Sequence, residues 1–375
     1  MCLMRVLVAP DSFGGTLSAV EAAAAVSEGW TKARPADELT SRPLSDGGPG
    51  FVDVLNSSVH GTLLPVPVTD PLGRRADGQV LIAGERAYVE SAQAAGLHLL
   101  GPDERDPKRT TSFGVGQLIA AAVEGGARVV VVGLGGSGTN DGGAGMLAAL
   151  GFVARDASGR PLPYGGGALI AVDHCDGTPQ LRGAQLVIAS DVDNPLTGPQ
   201  GASAVFGPQK GASAEDVTLL DAALAQWGRV LQRDAPNAVA DLADCPGAGA
   251  AGGLGAGLFA LGARREAGID VVSEALDLPS AVAAADLVVT GEGRFDQQSL
   301  RGKVAIGVAA MAAAAGVPCV VLAGQVSVDA DEASAAGVTS AHSVAKHAGS
   351  VEAAMRQPAA RLADLAEHVA RLQAG

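Results

Sequence analysis

Residues able to do chemistry concentrate in three loops. The first is Gly133-Leu-Gly-Gly-Ser-Gly-Thr-Asn-Asp-Gly-Gly-Ala-Gly145, with seven glycines. It follows the Val-rich run Arg128–Val132, which reads as a buried strand, and precedes an apolar helical stretch, Met146 to Gly151. Backbone N–H groups at a strand–loop–helix junction bind anions. Gly135 and Gly136 let the backbone approach a ligand, while Ser137, Thr139 and Asn140 can donate from side chains. Asp141 can hold Mg²⁺. The second loop is Ser190-Asp-Val-Asp-Asn-Pro-Leu-Thr-Gly198. Asp191 and Asp193, two residues apart, can face one cation, and Mg²⁺ prefers a few carboxylates plus phosphate oxygens. Either can instead accept a proton from a substrate hydroxyl, and an Asx turn before Pro195 is the purely structural alternative. Downstream, Lys210 in Phe206-Gly-Pro-Gln-Lys-Gly211 can neutralise charge on a transferring phosphoryl group. A lone lysine there is otherwise only a solvated surface group.

The third loop is Thr290-Gly-Glu-Gly-Arg-Phe-Asp-Gln-Gln-Ser-Leu-Arg-Gly-Lys303, after the strand-like run Leu287–Val289. Arg294 can pair bidentately with a carboxylate or phosphate. Glu292 and Asp296 can bind Mg²⁺ or substrate hydroxyls. Asp11 and Ser12 follow the strand-like run Arg5–Pro10, and Asp46 follows another at Leu39–Pro43, so they share the same position past a strand end.

Other chemistries lack their signatures. No GxxxxGK[ST] occurs, and Gly302-Lys303 lacks both the spaced glycine and the following hydroxyl residue, so a nucleotide would not bind through a P-loop. There is no GxSxG and no HExxH. The histidines His60, His98, His174, His342, His347 and His368 show no ligand spacing, and Cys2, Cys175, Cys245 and Cys319 form no CxxC pair. One competitor stands. Gly133, Gly135 and Gly138 spell GxGxxG, with Asp156 further on, as a dinucleotide site requires. An NAD-dependent oxidoreductase is therefore an alternative, although the helix expected after the loop is short and carries further glycines.

These loops need a scaffold that carries them at strand ends. The chain has 375 residues, 47% hydrophobic and 18% charged, enough for two domains with sizeable cores. Its formal net charge of −14 disfavours nucleic acid as a partner. The start of the chain does not read as a signal peptide. Val304 to Gly324 is a 21-residue stretch without charge, but Gly316-Val317-Pro318 breaks it into a buried helix, a turn and a strand. No membrane span is expected, and a cytoplasmic location follows. Helices are expected at Ala19–Lys32, Gly114–Gly125, Ala214–Gln232 and Val351–Leu372, with Ser18 capping the first. Thr62–Val68, Gln79–Ala83 and Arg86–Glu90 look like a meander, and Gln185–Ala189 like another buried strand. Strand–helix alternation at both chain ends predicts an α/β fold of two domains: a Rossmann-like three-layer parallel sheet from residues 1–62 and 285–375, and an inserted α/β domain with a mixed sheet from 63–284.

Eight blocks in this order resemble the glycerate kinase family that lacks a P-loop. They are Ala9–Ala19, Asp46–Gly48, Val68–Arg74, Gly133–Met146, Asp191–Leu196, Gly207–Ser213, Pro246–Gly255 and Thr290–Lys303. The resemblance implies ATP and Mg²⁺ as cofactors and D-glycerate as the small-molecule substrate, with 2-phosphoglycerate expected as the product ahead of 3-phosphoglycerate. Combined with the residue readings above, it leads to an expected mechanism in which Asp191 and Lys210 serve catalysis. Asp11, Ser12, Asp46, Arg294 and Asp296 go to the substrate, Gly135, Gly136, Ser137, Thr139 and Asn140 to the nucleotide, and Asp193, Asp191 and Glu292 to the metal. A monomer or homodimer without membrane association is implied. Two positions depart from the family pattern: Gly14 stands where Lys is usual, and Pro49 where Glu is usual. A kinase for another small hydroxy acid and a non-catalytic ligand-binding relative are the further alternatives.

Overall fold

The computed structural model describes residues 3–301 and 304–373. Cys2 and the pair Gly302-Lys303 lie outside the described residues. The chain divides into two compact units: Met1–Asp46, Asp53–Val59 and Ile269–Gly375 form the first, and Gly47–Val52 and His60–Gly268 the second.

The first unit holds a five-stranded parallel sheet. Its strand order is Ser340–Ser343, Cys319–Val326, Leu287–Phe295, Arg5–Val8, Glu38–Ser41. The central strands are near-continuous apolar runs, as strands covered on both faces must be. Ser18 caps the helix Ala19–Ala33 in a reciprocal capping box with Glu21. That helix packs closely on Pro358–Leu372, where a side chain on Gly29 would overlap the carbonyl of Ala363. The single terminal helix expected over 351–372 is in fact two, Val351–Arg356 and Pro358–Leu372. Gln357 leaves the helical region because its successor is proline. The uncharged stretch forms the helix Val304–Ala314 and the strand Cys319–Val326. Among the described residues no helix is long and apolar enough to cross a membrane.

The order of this sheet matters for function. From Arg5–Val8 the chain crosses to Glu38–Ser41 on one side, while Leu287–Phe295 flanks it on the other. The crevice past the carboxyl ends of Arg5–Val8 and Leu287–Phe295 is therefore a topological switch point, where open sheets of this kind bind ligands.

The second unit holds a six-stranded mixed sheet, ordered Arg264–Glu266, Gln185–Ala189, Val129–Gly133, Arg86–Glu90, Arg75–Ala83, Thr62–Thr69. The last three pair antiparallel as the meander, and the others are parallel. Asp70 shapes the first hairpin by accepting from the amides of Leu72 and Arg74 and from the Arg74 side chain. The amphipathic helix Ala214–Asp234 buries Trp227, whose indole N–H donates to the carbonyl of Gly142 in the glycine-rich loop.

Candidate functional site

In the first unit, the switch point opens into a cavity of about 510 Å³. The Asp11 amide donates to the carbonyl of Gly291 at 2.8 Å, and the Thr290 hydroxyl donates to the Ala9 carbonyl at 2.7 Å, so the loop after Arg5–Val8 lies on the neighbouring strand. Close approach requires small residues. A Cβ on Gly293 would come within 3.0 Å of the Gly14 amide, and one on Gly324 would overlap the Gly293 carbonyl. Asp11, Ser12, Asp46, Glu292 and Arg294, all expected from sequence, line this one cavity together with Thr16 and Gln325. Arg294 is exposed and makes no ion pair among the described residues, which leaves its guanidinium available for an anionic group. Asp296 does not line the cavity. Its carboxylate accepts from the Gln298 amide and its own amide donates to Ser299, so it shapes the turn after the strand. Gly14, with φ +39°, borders the cavity, and a Cβ there would meet nothing within 4 Å.

In the second unit, the glycine-rich loop follows Val129–Gly133 and enters a helix of only six residues, Ala144–Ala149. So short a helix has little dipole, and the loop's own amides must supply any anion site. Among the described residues the amides of Gly135, Gly136, Ser137, Thr139 and Asn140 make no hydrogen bond. The Thr139 hydroxyl is also buried without a partner. Ser137, Thr139 and Asn140 are buried, Gly135 is half-buried and Gly136 is exposed. Unpaired buried donors are rare in proteins, and three of them beside two accessible amides suit a polyanionic ligand. Gly48 and Pro49 press against the loop from below: a Cβ on Gly135 would lie 2.6 Å from Gly48 Cα, and one on Gly136 would lie 2.7 Å from Pro49 Cγ.

Lys210 is not a solvated surface lysine. It is 1% exposed, and its ammonium donates to Ser137 Oγ at 2.9 Å and to the carbonyl of Thr139 at 2.7 Å. Burial pushes its pKa down to about 7, against the opposing pull of Asp141. It therefore places a titratable positive charge directly behind the loop.

Asp141 departs from the expectation of a metal ligand. It is buried, and its carboxylate accepts from the Ser112 amide and hydroxyl and from the amides of Gly143 and Gly145. These bonds fold the end of the loop, while burial raises the acid's pKa. Asp191 and Asp193 are exposed on one loop past the strand Gln185–Ala189, and Asp191 accepts from the Gly268 amide at 2.8 Å. Among the described residues no three His, Cys, Asp or Glu side chains gather as a ready-made metal site. Two exposed carboxylates nevertheless fit a cation that keeps water and phosphate oxygens in its shell.

The dinucleotide alternative fails on topology. The strand Phe152–Arg155 pairs antiparallel with His174–Gly177 in a separate two-stranded sheet rather than joining the parallel sheet. The Asp156 carboxylate is taken by Ser158 and Arg160, not held open for a ribose.

Several supporting residues have no motif of their own. Ser112 holds Asp141, Thr110 donates to the Gly138 carbonyl, and Ser203 accepts from Asn140. The hydroxyl run Thr110-Thr111-Ser112 before a helix was the available signal for the first two. The block Pro246–Gly255 supports the same loop. Its residues Ala251, Gly252 and Gly253 are left-handed, and Gly252 accepts from the Gly142 amide. A side chain on Gly252 would overlap the Thr139 carbonyl.

Comparison with known proteins agrees with this geometry. The model of the glycerate kinase family matches residues 6–374. The chain is 42% identical to a glycerate kinase of Bacillus subtilis (strain 168), over 98% of this chain and 97% of that one. It is 41% identical to a glycerate 2-kinase of Escherichia coli (strain K12), over 94% and 93%. The crystal structure of a glycerate kinase 2 candidate from Salmonella typhimurium LT2 superposes with a TM-score of 0.84 at 39% identity, covering 100% of this chain and 99% of that one. A mixed α/β fold, a cavity at a switch point, an anion-ready glycine loop and near full-length matches converge: the chain belongs to the glycerate kinase family.

Proposed function

We propose that this protein is a cytoplasmic enzyme that transfers the terminal phosphoryl group of ATP to the 2-hydroxyl of D-glycerate, with Mg²⁺ as the accompanying cation. The observation that carries the reading is the run of unpaired amides at Gly135–Ser137, backed by the buried ammonium of Lys210. Such a loop stabilises phosphate oxygens by fixed dipoles and one charge, which is most of what phosphoryl transfer asks of a protein. In the first unit, Arg294 takes the carboxylate of glycerate, while Asp11, Ser12 and Asp46 accept from or donate to its hydroxyls. Asp191 and Asp193 would hold Mg²⁺, which when bound neutralises charge on the phosphate oxygens. The proton leaving the acceptor hydroxyl goes to a carboxylate, and Asp191 is the assigned base. Product at the 2-position agrees with the name of the Escherichia coli relative.

The test is an ATP-consumption screen against a panel of hydroxy acids, with NAD binding measured in parallel. ADP formation with glycerate supports the reading. ATP binding without turnover on any acid refutes it. Replacing Asp191 by Asn lowers turnover by orders of magnitude with the fold intact, and unchanged turnover removes Asp191 from catalysis.

A further inference from the structure

The structure assigns to this cavity a second, apolar limb that takes a substituent on C3 of the acceptor, so that the substrate class is 2,3-dihydroxy acids larger than glycerate. The inference rests on the proposal that Arg294 and the carboxylates beside it seat the acceptor acid. The cavity holds about 510 Å³. Glycerate has seven heavy atoms, which displace roughly 200 Å³ at the ~30 Å³ that a water occupies in the liquid. More than half of the space is left over.

That space is walled differently from the seat. The charged groups come from the loops after Arg5–Val8 and Glu38–Ser41 and from the end of Leu287–Phe295, and Gln325 at the end of Cys319–Val326 is the one amide side chain among the described lining residues. Phe13 and Leu17 add apolar surface beside the seat, and the far walls are Val344, Ala345, Val351, Ala354, Met355 and Leu362, with Pro358. The far walls come from the helices Val344–Ala348, Val351–Arg356 and Pro358–Leu372, which follow Ser340–Ser343 at the opposite edge of the sheet from Glu38–Ser41. The sheet order therefore keeps every charged group among the described lining residues on one side of the cavity, while the far side carries no charge and is apolar apart from Gln325. Met355 and Val351 are 60% and 41% exposed, which is apolar surface left in water beside a concave site. Methionine is unbranched and adapts to groups of different shape. Gly14 adds no side chain at the cavity wall.

A molecule fixed by its carboxylate at Arg294 reaches the limb in one way, through a covalent apolar branch. With the phosphoryl acceptor on C2, C3 carries that branch without crowding the reacting atoms. A purine base fits less well: Gln325 is the only amide side chain among the described lining residues, and a polyphosphate would meet Asp11, Asp46 and Glu292.

The experiment uses the full chain and the C3-methyl, ethyl, propyl and phenyl homologues of glycerate. Turnover with ATP and calorimetric binding of each acid are both read. The account predicts affinity and kcat/KM rising about three- to fourfold per added methylene. In Met355→Asp, whose site is exposed and tolerant of change, this rise is lost while glycerate stays within about twofold. Ala354→Leu shortens the series from its long end. Homologues that bind at least tenfold more weakly than glycerate overturn the inference, as does a rise that survives Met355→Asp. If no acid is turned over, including glycerate, the proposed function falls, and calorimetry still decides the limb: a Met355-sensitive rise in binding supports it, and no rise sinks it.

Discussion

The ammonium of Lys210 donates to the carbonyl of Thr139 at 2.7 Å from a side chain almost wholly removed from water. The residue acts on the glycine loop from behind, holding Ser137 as well as Thr139. In the proposed reading its charge, and not only its hydrogen bonds, bears on what the loop binds.

A pH dependence follows, with its sign. Burial lowers the Lys210 pKa to about 7. Bound phosphates favour the charged form and raise it again. Nucleotide affinity is then full below pH 7 and falls as pH rises above 7, with proton uptake on binding in that range. Stability moves the other way. The cost of burying the charge is complete below pH 7 and is relieved between pH 7 and the ordinary lysine value of 10.5. Calorimetry in buffers of different ionisation heat reads the proton uptake. Lys210→Met abolishes it, and an equal pH slope in wild type and variant contradicts the assignment.

Asp141 is a brace. Asp141→Ala leaves Ser112, Gly143 and Gly145 donors unpaired in the interior and costs about 3 kcal/mol of unfolding free energy. Denaturant titration measures this. A loss under about 0.5 kcal/mol, with a selective fall in Mg²⁺ affinity instead, shows a metal ligand.

Arg294 behaves in the opposite way. It is exposed and unpaired among the described residues, so Arg294→Ala leaves stability within about 0.5 kcal/mol. The same change raises the KM for glycerate by roughly two orders of magnitude, because a charge-assisted bidentate pair is lost. Arg294→Lys recovers only part of that, since lysine cannot present the planar fork. Steady-state kinetics across the three proteins tests the order.

How far the sequence carries this picture depends on the kind of interaction. Gln185–Ala189 is legible as a strand because its apolar run is unbroken and its neighbours are a glycine and an Asp-rich loop. The α/β fold follows from the alternation of such runs with capped helices. The break at Gln357 was equally available in Pro358, but the amphipathic period running across it hides the stop. Asp11, Ser12, Asp46, Glu292 and Arg294 share a cavity because the first three follow parallel strands of one sheet and the last two sit near the carboxyl end of a third, Leu287–Phe295. Lys210 and Asp141 read differently in sequence and in structure. Lys210 is held by Ser137 and Thr139, and Asp141 by Ser112, partners distant along the chain, and no local pattern encodes their burial. The limb past Met355 was likewise invisible, since its walls are ordinary helix-face residues until the sheet order brings them to the cavity.

The most direct test of phosphoryl transfer to glycerate is phosphorus-31 NMR of the full chain with ATP, Mg²⁺ and D-glycerate. The account predicts loss of the γ-phosphate resonance and growth of a phosphomonoester split into a doublet by the single proton on C2. A triplet from the C3 methylene moves the phosphate to the other hydroxyl. ATP that persists unchanged, or that yields only inorganic phosphate, contradicts the account.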